Sequence, residues 1–299
     1  MDIFKKGRSI TSINFYRWKK DLRILFILII TVSLIHYYFR GIVTFAIEND
    51  KTLTFCMLPA LFMVSSVSLR TPKVVFHLGL ILLLCDAPFF HPITPYAIMR
   101  SKRKGWWLGE LRYIIFVAFF YMGFLTIISF LHTLPVVTFE NEWGTAIDTL
   151  MFGSEGFTRD EILASLDQTW MILYDPVSAW YFYPFACQVY TFITGFADFV
   201  ILGLVIYCVS LVCKNGMWGV GMASMLVLLE PVLFVLDKAT LQLMRFCPIS
   251  WSTVARLNLV EETEQYLSIP YVTVMYIVLI VALILMSWLL SRKATIELR

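Results

Sequence analysis

The chain has 299 residues, of which 59% are hydrophobic and only 15% are charged. Globular domains usually have a lower apolar content and about a quarter charged residues, so this composition is that of a membrane protein. The formal net charge of +3 is too small to indicate nucleic-acid binding, and the apolar runs extend from end to end, which predicts a single transmembrane domain over residues 1–299.

The apolar runs predict the membrane crossings, because a helix needs ~20 apolar residues to span ~30 Å of hydrocarbon. The first run begins after Arg23 and is followed by no small-residue cleavage pattern, so we expect it to stay as a helix rather than to be removed as a signal peptide. The expected fold is therefore all-α and polytopic, with six transmembrane helices over residues 24–46, 74–90, 113–131, 189–212, 217–236 and 271–290.

The distribution of lysine and arginine sets the orientation. With six spans and both termini in the cytoplasm, the inner segments hold twice as many basic residues as the outer ones. Residues 53–69 are apolar but broken by Pro59, and a seventh crossing there would move the basic residues of 100–104 outside, so this piece is predicted to be extracellular or partly re-entrant. The expected location is the plasma membrane, with outer segments over residues 47–73, 134–184 and 237–270.

The outer segment 134–184 is strongly acidic, with eight Asp or Glu residues and a single Arg159. Within it, residues 158–166 ("TRDEILASL") begin with a capping residue and acids, which predicts a short surface helix. The role of this loop is open.

The most informative stretch is residues 86–112, "DAPFFHPITPYAIMRSKRKGWWLGELR". Its prolines end the second span, and a helix restarts at Tyr96 with an aromatic and apolar face, a basic cluster and two tryptophans. We interpret it as a short amphipathic cytoplasmic helix between two spans, with Trp106 and Trp107 as anchors at the lipid headgroups. The alternative is an ordinary basic cytoplasmic loop.

This stretch resembles the coupling-helix region of ABC-2 type transporter permeases, particularly the small stand-alone permeases of Gram-positive bacteria. In outline, residues 9–22 ("SITSINFYRWKKDL") match the family's basic amphipathic N-terminal helix, and residues 213–216 ("CKNG") match its tight turn between spans four and five. The acidic outer loop is longer than in the simplest members. The resemblance implies a coupling helix near 96–109 that contacts an ATPase through Tyr96, Met99, Arg100, Ser101, Lys102 and Arg103.

The resemblance also implies partners. The chain contains no GxxxxGK[ST] phosphate loop, so ATP and Mg are expected on a separate ATPase subunit, with no cofactor and no catalytic residue on this chain. A second permease copy or a homologous permease is expected beside membrane lipid, and the family favours export. The sequence does not identify the substrate.

Ionisable residues inside spans point to a pathway, because an unpaired charge in the bilayer is costly. Asp198 lies in the fourth predicted span and Glu230, next to Pro231, in the fifth. They are candidates for the translocation path; the alternative is that they are protonated or bonded to neighbouring helices.

Two other function classes stay open, an intramembrane enzyme and an ATP-independent transporter or immunity-type membrane protein. The chain has no HExxH or GxSxG motif, and its six cysteines have no CxxC spacing, so no metal site is predicted. A disulfide among Cys56, Cys187 and Cys247 is one possibility, and buried free thiols are the other.

Overall fold

The computed structural model describes residues 2–18, 21–62, 72–85, 94–153, 182–236, 243–254, 257 and 267–293. Helices dominate this part of the chain: α1 Asp2–Trp18, α2 Leu22–Glu48, α3 Leu58–Phe62, α4 Pro72–Leu84, α5 Thr94–Thr133, α6 Thr145–Phe152, α7 Pro184–Cys213, α8 Gly216–Leu236 and α9 Ile269–Lys293. The short pieces are strands β1 Leu53–Thr54 and β2 Val137–Thr138 and the 3₁₀ turns Leu134–Val136, Leu243–Phe246 and Pro248–Ser252.

Five of these helices are long and apolar enough to cross a membrane, namely α2, α5, α7, α8 and α9. The chain is thus an all-α, multi-pass membrane protein. The helix at the predicted second span is shorter than these five: α4 has 13 residues, which is only ~20 Å of helix. It covers the first part of the predicted 74–90, and residues 86–93 lie outside the described part of the chain.

Helix α7 is the centre of the bundle and contacts α4, α5, α8 and α9. Close approach is made possible by glycine: a Cβ at Gly203 would lie 2.4 Å from Ile114 of α5. Small residues of this kind let helix backbones approach each other in membranes, where packing rather than the hydrophobic effect drives association.

Helix α3 lies inside the bundle, with all five of its residues buried. The Phe62 ring contacts His77 and Phe199, at centroid distances of 5.9 and 6.3 Å. Since Phe199 is 15 residues from the start of α7 at Pro184, α3 reaches ~22 Å along that helix. The two interpretations of segment 53–69, extracellular and re-entrant, both stay open, because residues 63–69 lie outside the described ranges.

Residues 51–54 contact residues 137–149 of the acidic loop. Strands β1 and β2 pair in parallel, and the Lys51 ammonium donates to the Thr149 hydroxyl of α6 at 2.6 Å. Gly144, at φ +85°, sits so close that a Cβ would lie 2.6 Å from the Thr52 carbonyl oxygen. The predicted helix over 158–166 lies outside the described residues.

The three cysteines considered for a disulfide, Cys56, Cys187 and Cys247, are free and buried. Burial in apolar surroundings raises the pKa of the Cys56 thiol to about 12 and that of Cys247 to about 11. These three residues are therefore buried free thiols, the second of the two possibilities that the sequence left open.

Candidate functional site

The stretch predicted to be a coupling helix forms the first turns of α5. Residues 94–101, here called the short helix, pass without a loop into the long part of α5, and the two are divided at Lys102, whose backbone has φ 62° and ψ 160°. Non-glycine residues rarely adopt this conformation, which stores strain on the order of 1–3 kcal/mol. The helix expected over 96–109 is thus interrupted: residues 94–101 form the short helix, and residues 103–109 belong to the long part of α5, with only Lys102 between them.

The short helix presents a mixed apolar and basic surface. Tyr96 and Met99, three residues apart and hence on one face, are 60% and 70% exposed. Arg100, Lys102 and Arg103 are also exposed. Of the six predicted contact residues, only Ser101 is buried, at 6% exposure.

The residues after Lys102 are fixed to the end of α9. The Arg103 guanidinium donates to the Arg292 carbonyl. The Trp107 indole N–H donates to the Ser287 hydroxyl at 2.9 Å, and its ring lies 5.1 Å from that of Trp288. The junction is therefore anchored to a neighbouring span.

The structure does not fit the interfacial role predicted for Trp106. This side chain is only 1% exposed and packs against the Tyr207 ring of α7 at 6.1 Å. The helical spacing gives the physical reason: Trp106, Tyr113 and Val117 recur on one buried face of α5. Trp107 is half-buried rather than fully exposed.

Helix α1 docks on the segment that follows the junction. A Cβ at Gly109 would lie 2.7 Å from the Ile10 Cβ, so the two backbones approach closely. The Thr11 hydroxyl donates to the Gly109 carbonyl at 3.0 Å, and the Asn14 amide donates to the buried Glu110 carboxylate at 3.2 Å. The N-terminal helix α1 is thus packed and hydrogen-bonded against residues 109–110 of α5.

The two intramembrane acids predicted to line a path belong to a buried polar cluster. The Lys73 ammonium of α4 lies 3.1 Å from the Glu230 carboxylate of α8 and also donates to the Thr253 hydroxyl at 2.7 Å and to the Ile249 carbonyl. Lys73, which was assigned to the outer segment 47–73, is in fact a fully buried residue of α4.

Asp198 forms the other half of this cluster. Its carboxylate accepts hydrogen bonds from the Ser252 hydroxyl and, at 2.8 Å, from the Tyr276 hydroxyl. The His77 Nε2 lies 3.4 Å from the same carboxylate. The cluster therefore joins α4, α7, α8, α9 and the 3₁₀ turn Pro248–Ser252.

His77 has two polar contacts inside the cluster. Its Nδ1 lies 2.7 Å from the Lys73 carbonyl oxygen, which can only accept, so Nδ1 is the donor in this contact. Its Nε2 faces the Asp198 carboxylate. The pairing of the Lys73 ammonium with the Glu230 carboxylate, and the hydrogen bonds to Asp198, lower the cost of burying the cluster.

Asp198 and Glu230 are fully buried and bonded to neighbouring helices. This favours the second interpretation of these acids, a structural role between helices, over a translocation path. Their partners Lys73, His77 and Tyr276 were not identified from the sequence. One signal was available, because Lys73 and His77 lie four residues apart and so share one face of α4. Among the described residues, no group of three or more His, Cys, Asp or Glu side chains has the arrangement of a metal site.

Comparisons with protein-family models, with curated proteins and with solved structures found no match to this chain.

Proposed function

We propose that this protein is the transmembrane permease subunit of an ATP-binding cassette exporter, driven by a separate ATPase subunit. In this proposal it has six spans, both termini in the cytoplasm of the cell whose plasma membrane it occupies, and a second permease chain beside it. The short helix docks on the ATPase, which binds ATP and Mg.

The observation that carries the proposal is the junction at Lys102. An exposed helix with Tyr96, Met99 and Arg100 on its surface leads directly into a span, with one residue between them. A soluble partner that displaces the short helix would therefore also displace the span, because no flexible loop lies between them.

The packing around the junction supports the same function. Beyond Lys102, the chain is held by α1 through Gly109 and by α9 through Trp107. A push on the short helix would thus act on three helices together. The resemblance of "YAIMRSKRKGWWLGELRYIIF" to the coupling region of ABC-2 permeases agrees with this mechanical arrangement.

The buried cluster at the other end of the bundle has a part in this proposal. Lys73, His77, Asp198 and Glu230 tie three helices together at the end we assign to the outside. The cluster would act as a closed outer gate that separates when the short helices move.

The test begins with the neighbouring reading frame. If it encodes an ATPase with a phosphate-binding loop, we expect the two proteins to copurify and the permease to stimulate ATP hydrolysis. Arg100→Glu, Lys102→Glu or a glycine inserted after Met99 should leave membrane insertion intact and abolish most of the stimulation.

A matched control is Lys214→Glu, which reverses another exposed basic residue, in the turn between α7 and α8. It should keep the stimulation. Labelling of a cysteine placed at residue 102 from the outer surface, or transport by the purified protein with no ATPase present, would contradict the proposal.

A second candidate function is favoured by one observation, the contact between the fully buried side chains of His77 and Asp198. Buried, paired ionisable groups of this kind are typical of proton relays in ion-coupled transporters. This alternative predicts transport in vesicles under a pH gradient without any ATPase, and loss of that transport in His77→Gln.

A further inference from the structure

A groove of about 890 Å³ lies between α1 and α5. It is independent of the junction and of the buried cluster. Its lining residues divide into two sets, with basic and hydroxyl side chains at one end, and aromatic and aliphatic side chains along the rest: Arg8, Thr11, Ser12, Phe15, Arg112, Phe116, Phe119, Phe120, Gly123, Phe124 and Ile127.

The charged residues that line one end of the groove are both basic. Arg8 of α1 is exposed, Arg112 of α5 is half-buried, and no acidic side chain is among the lining residues that the structure describes. Two guanidinium groups at the mouth of an apolar groove fit the phosphate of a lipid headgroup, since arginine binds phosphate through paired hydrogen bonds.

The apolar wall has the length of an acyl chain. From Arg112 to Ile127 the lining residues of α5 recur at helical spacing over 15 residues, ~22 Å of helix, against ~15 Å for one leaflet of the hydrocarbon core. The stripe begins at the end of α5 that carries the basic residues 100–104, where a headgroup would lie.

The wall is also held in place by neighbouring rings. Phe119 makes edge contacts with Phe192 and Phe196 of α7, at 6.0 and 6.2 Å. On the opposite side, Phe15 of α1 lies 6.5 Å from Phe116. The groove is therefore formed before any ligand binds, which lowers the ordering cost of binding.

We propose that this groove is a specific binding site for an anionic phospholipid, with the phosphate at Arg8 and Arg112 and an acyl chain along the phenylalanine wall. This site requires no ATPase and stands whether or not the protein is a permease. Its occupant is a structural lipid that holds α1 against the third span.

The glycine in the wall offers a direct test. A Cβ at Gly123 would meet nothing within 4 Å, so Gly123→Phe fills the groove without a collision at the backbone. Gly41 of α2 is equally half-buried and equally open, so Gly41→Phe is the matched control. A third variant, Arg8→Gln with Arg112→Gln, removes the charges and leaves the wall.

The measurement is lipid retention by the full-length protein. It is purified from membranes with equal phosphatidylglycerol and phosphatidylcholine, and the lipid that stays bound is identified by native mass spectrometry. We expect wild type and Gly41→Phe to retain phosphatidylglycerol. The double arginine variant should bind phosphatidylglycerol about 30-fold less strongly, because it lacks the attraction of two basic residues to anionic lipid. Gly123→Phe should bind it less strongly by about tenfold or more, because acyl contacts are lost.

Three results would overturn the proposal. The first is equal retention of phosphatidylcholine by wild type, and the second is equal lipid loss in Gly41→Phe. The third is a change from dimer to monomer in Gly123→Phe with lipid retention unchanged, which would assign the groove to a second copy of the chain. Thermal unfolding and gel filtration of each variant separate loss of the site from loss of the fold.

Discussion

The Lys73 ammonium lies 3.1 Å from a Glu230 carboxylate oxygen, and both side chains are buried. Removing one partner of such a pair leaves a buried charge without compensation. We therefore expect Glu230→Gln alone to lower the free energy of unfolding by about 3–5 kcal/mol. The measurement is the loss of the monodisperse gel-filtration peak after heating in detergent.

A double variant tests whether the loss of stability comes from the unpaired charge. Lys73→Met with Glu230→Met replaces both charges by apolar groups of similar length, and it should recover most of the stability that Glu230→Gln loses. Glu140→Gln, the same change at an exposed outer position, should have no effect. If the double variant were less stable than Glu230→Gln, the charge pair could not be the reason for the loss.

A second prediction concerns the strained backbone of Lys102. Because φ 62° with ψ 160° is accessible almost only to glycine, Lys102→Gly should raise the free energy of unfolding by about 1 kcal/mol, whereas Lys102→Val should lower it by a similar amount or more. Differential scanning fluorimetry of the three proteins checks the order of stability.

In the proposed permease, the strain at Lys102 would also affect coupling to the ATPase. If the strained joint transmits force, Lys102→Gly will be more stable and yet couple less well to the ATPase. A glycine variant with full coupling would show that the joint is merely tolerated. Lys104→Gly, two residues along in regular helix, controls for the loss of a charge and should be destabilised.

The membrane helices could be predicted from the sequence because length and hydropathy are local properties. Helix α7 begins at Pro184, five residues before the predicted start at 189, and α9 begins at Ile269, within two residues of the prediction. These ends could be placed because they depend on prolines and on apolar runs. The start of α5 at Thr94 is not expected from the sequence, because the short helix runs into the span with only Lys102 between them.

The buried cluster could not be predicted for the opposite reason. The sequence prediction includes Lys73 in the outer segment 47–73. Its partner Glu230 is 157 residues away in the chain, so the compensation that permits burial exists only after the helices pack. A single sequence shows each charge and its cost, but not the pairing that offsets it.

A third prediction tests the docking of α1. A Cβ at Gly109 would lie 2.7 Å from Ile10, so Gly109→Val should separate α1 from α5 and expose the N-terminal helix to protease. The expected destabilisation is about 1–3 kcal/mol from overpacking. Limited proteolysis near residues 19–20, followed by mass spectrometry, measures the exposure.

Gly41→Val in α2 is the control for this change, since a side chain there meets nothing within 4 Å and Gly41 is not among the groove residues. It adds the same β-branched residue to another membrane helix. Should Gly109→Val and Gly41→Val be cleaved equally, the effect would come from the helix propensity of valine and not from its collision with Ile10.

The last prediction uses the thiols. Burial raises the pKa of Cys56 from 9.0 to about 12, so in the folded protein only a very small fraction is thiolate near pH 8, and maleimide should not react with it. Cys213, exposed at the end of α7, should react. Single-cysteine variants, each retaining one of these two residues, can be compared by mass spectrometry before and after denaturation.

The same shift predicts how stability depends on pH. Between pH 9 and about 12 the unfolded chain has released the Cys56 proton while the folded chain still holds it. The folded state then binds more protons, so its stability falls as the pH rises through this window. Cys56→Ala should weaken this alkaline destabilisation, whereas Cys213→Ala should leave it unchanged. A Cys56 that reacts at pH 8 as fast as Cys213 would mean that the α3 segment is open to water and not packed inside the bundle.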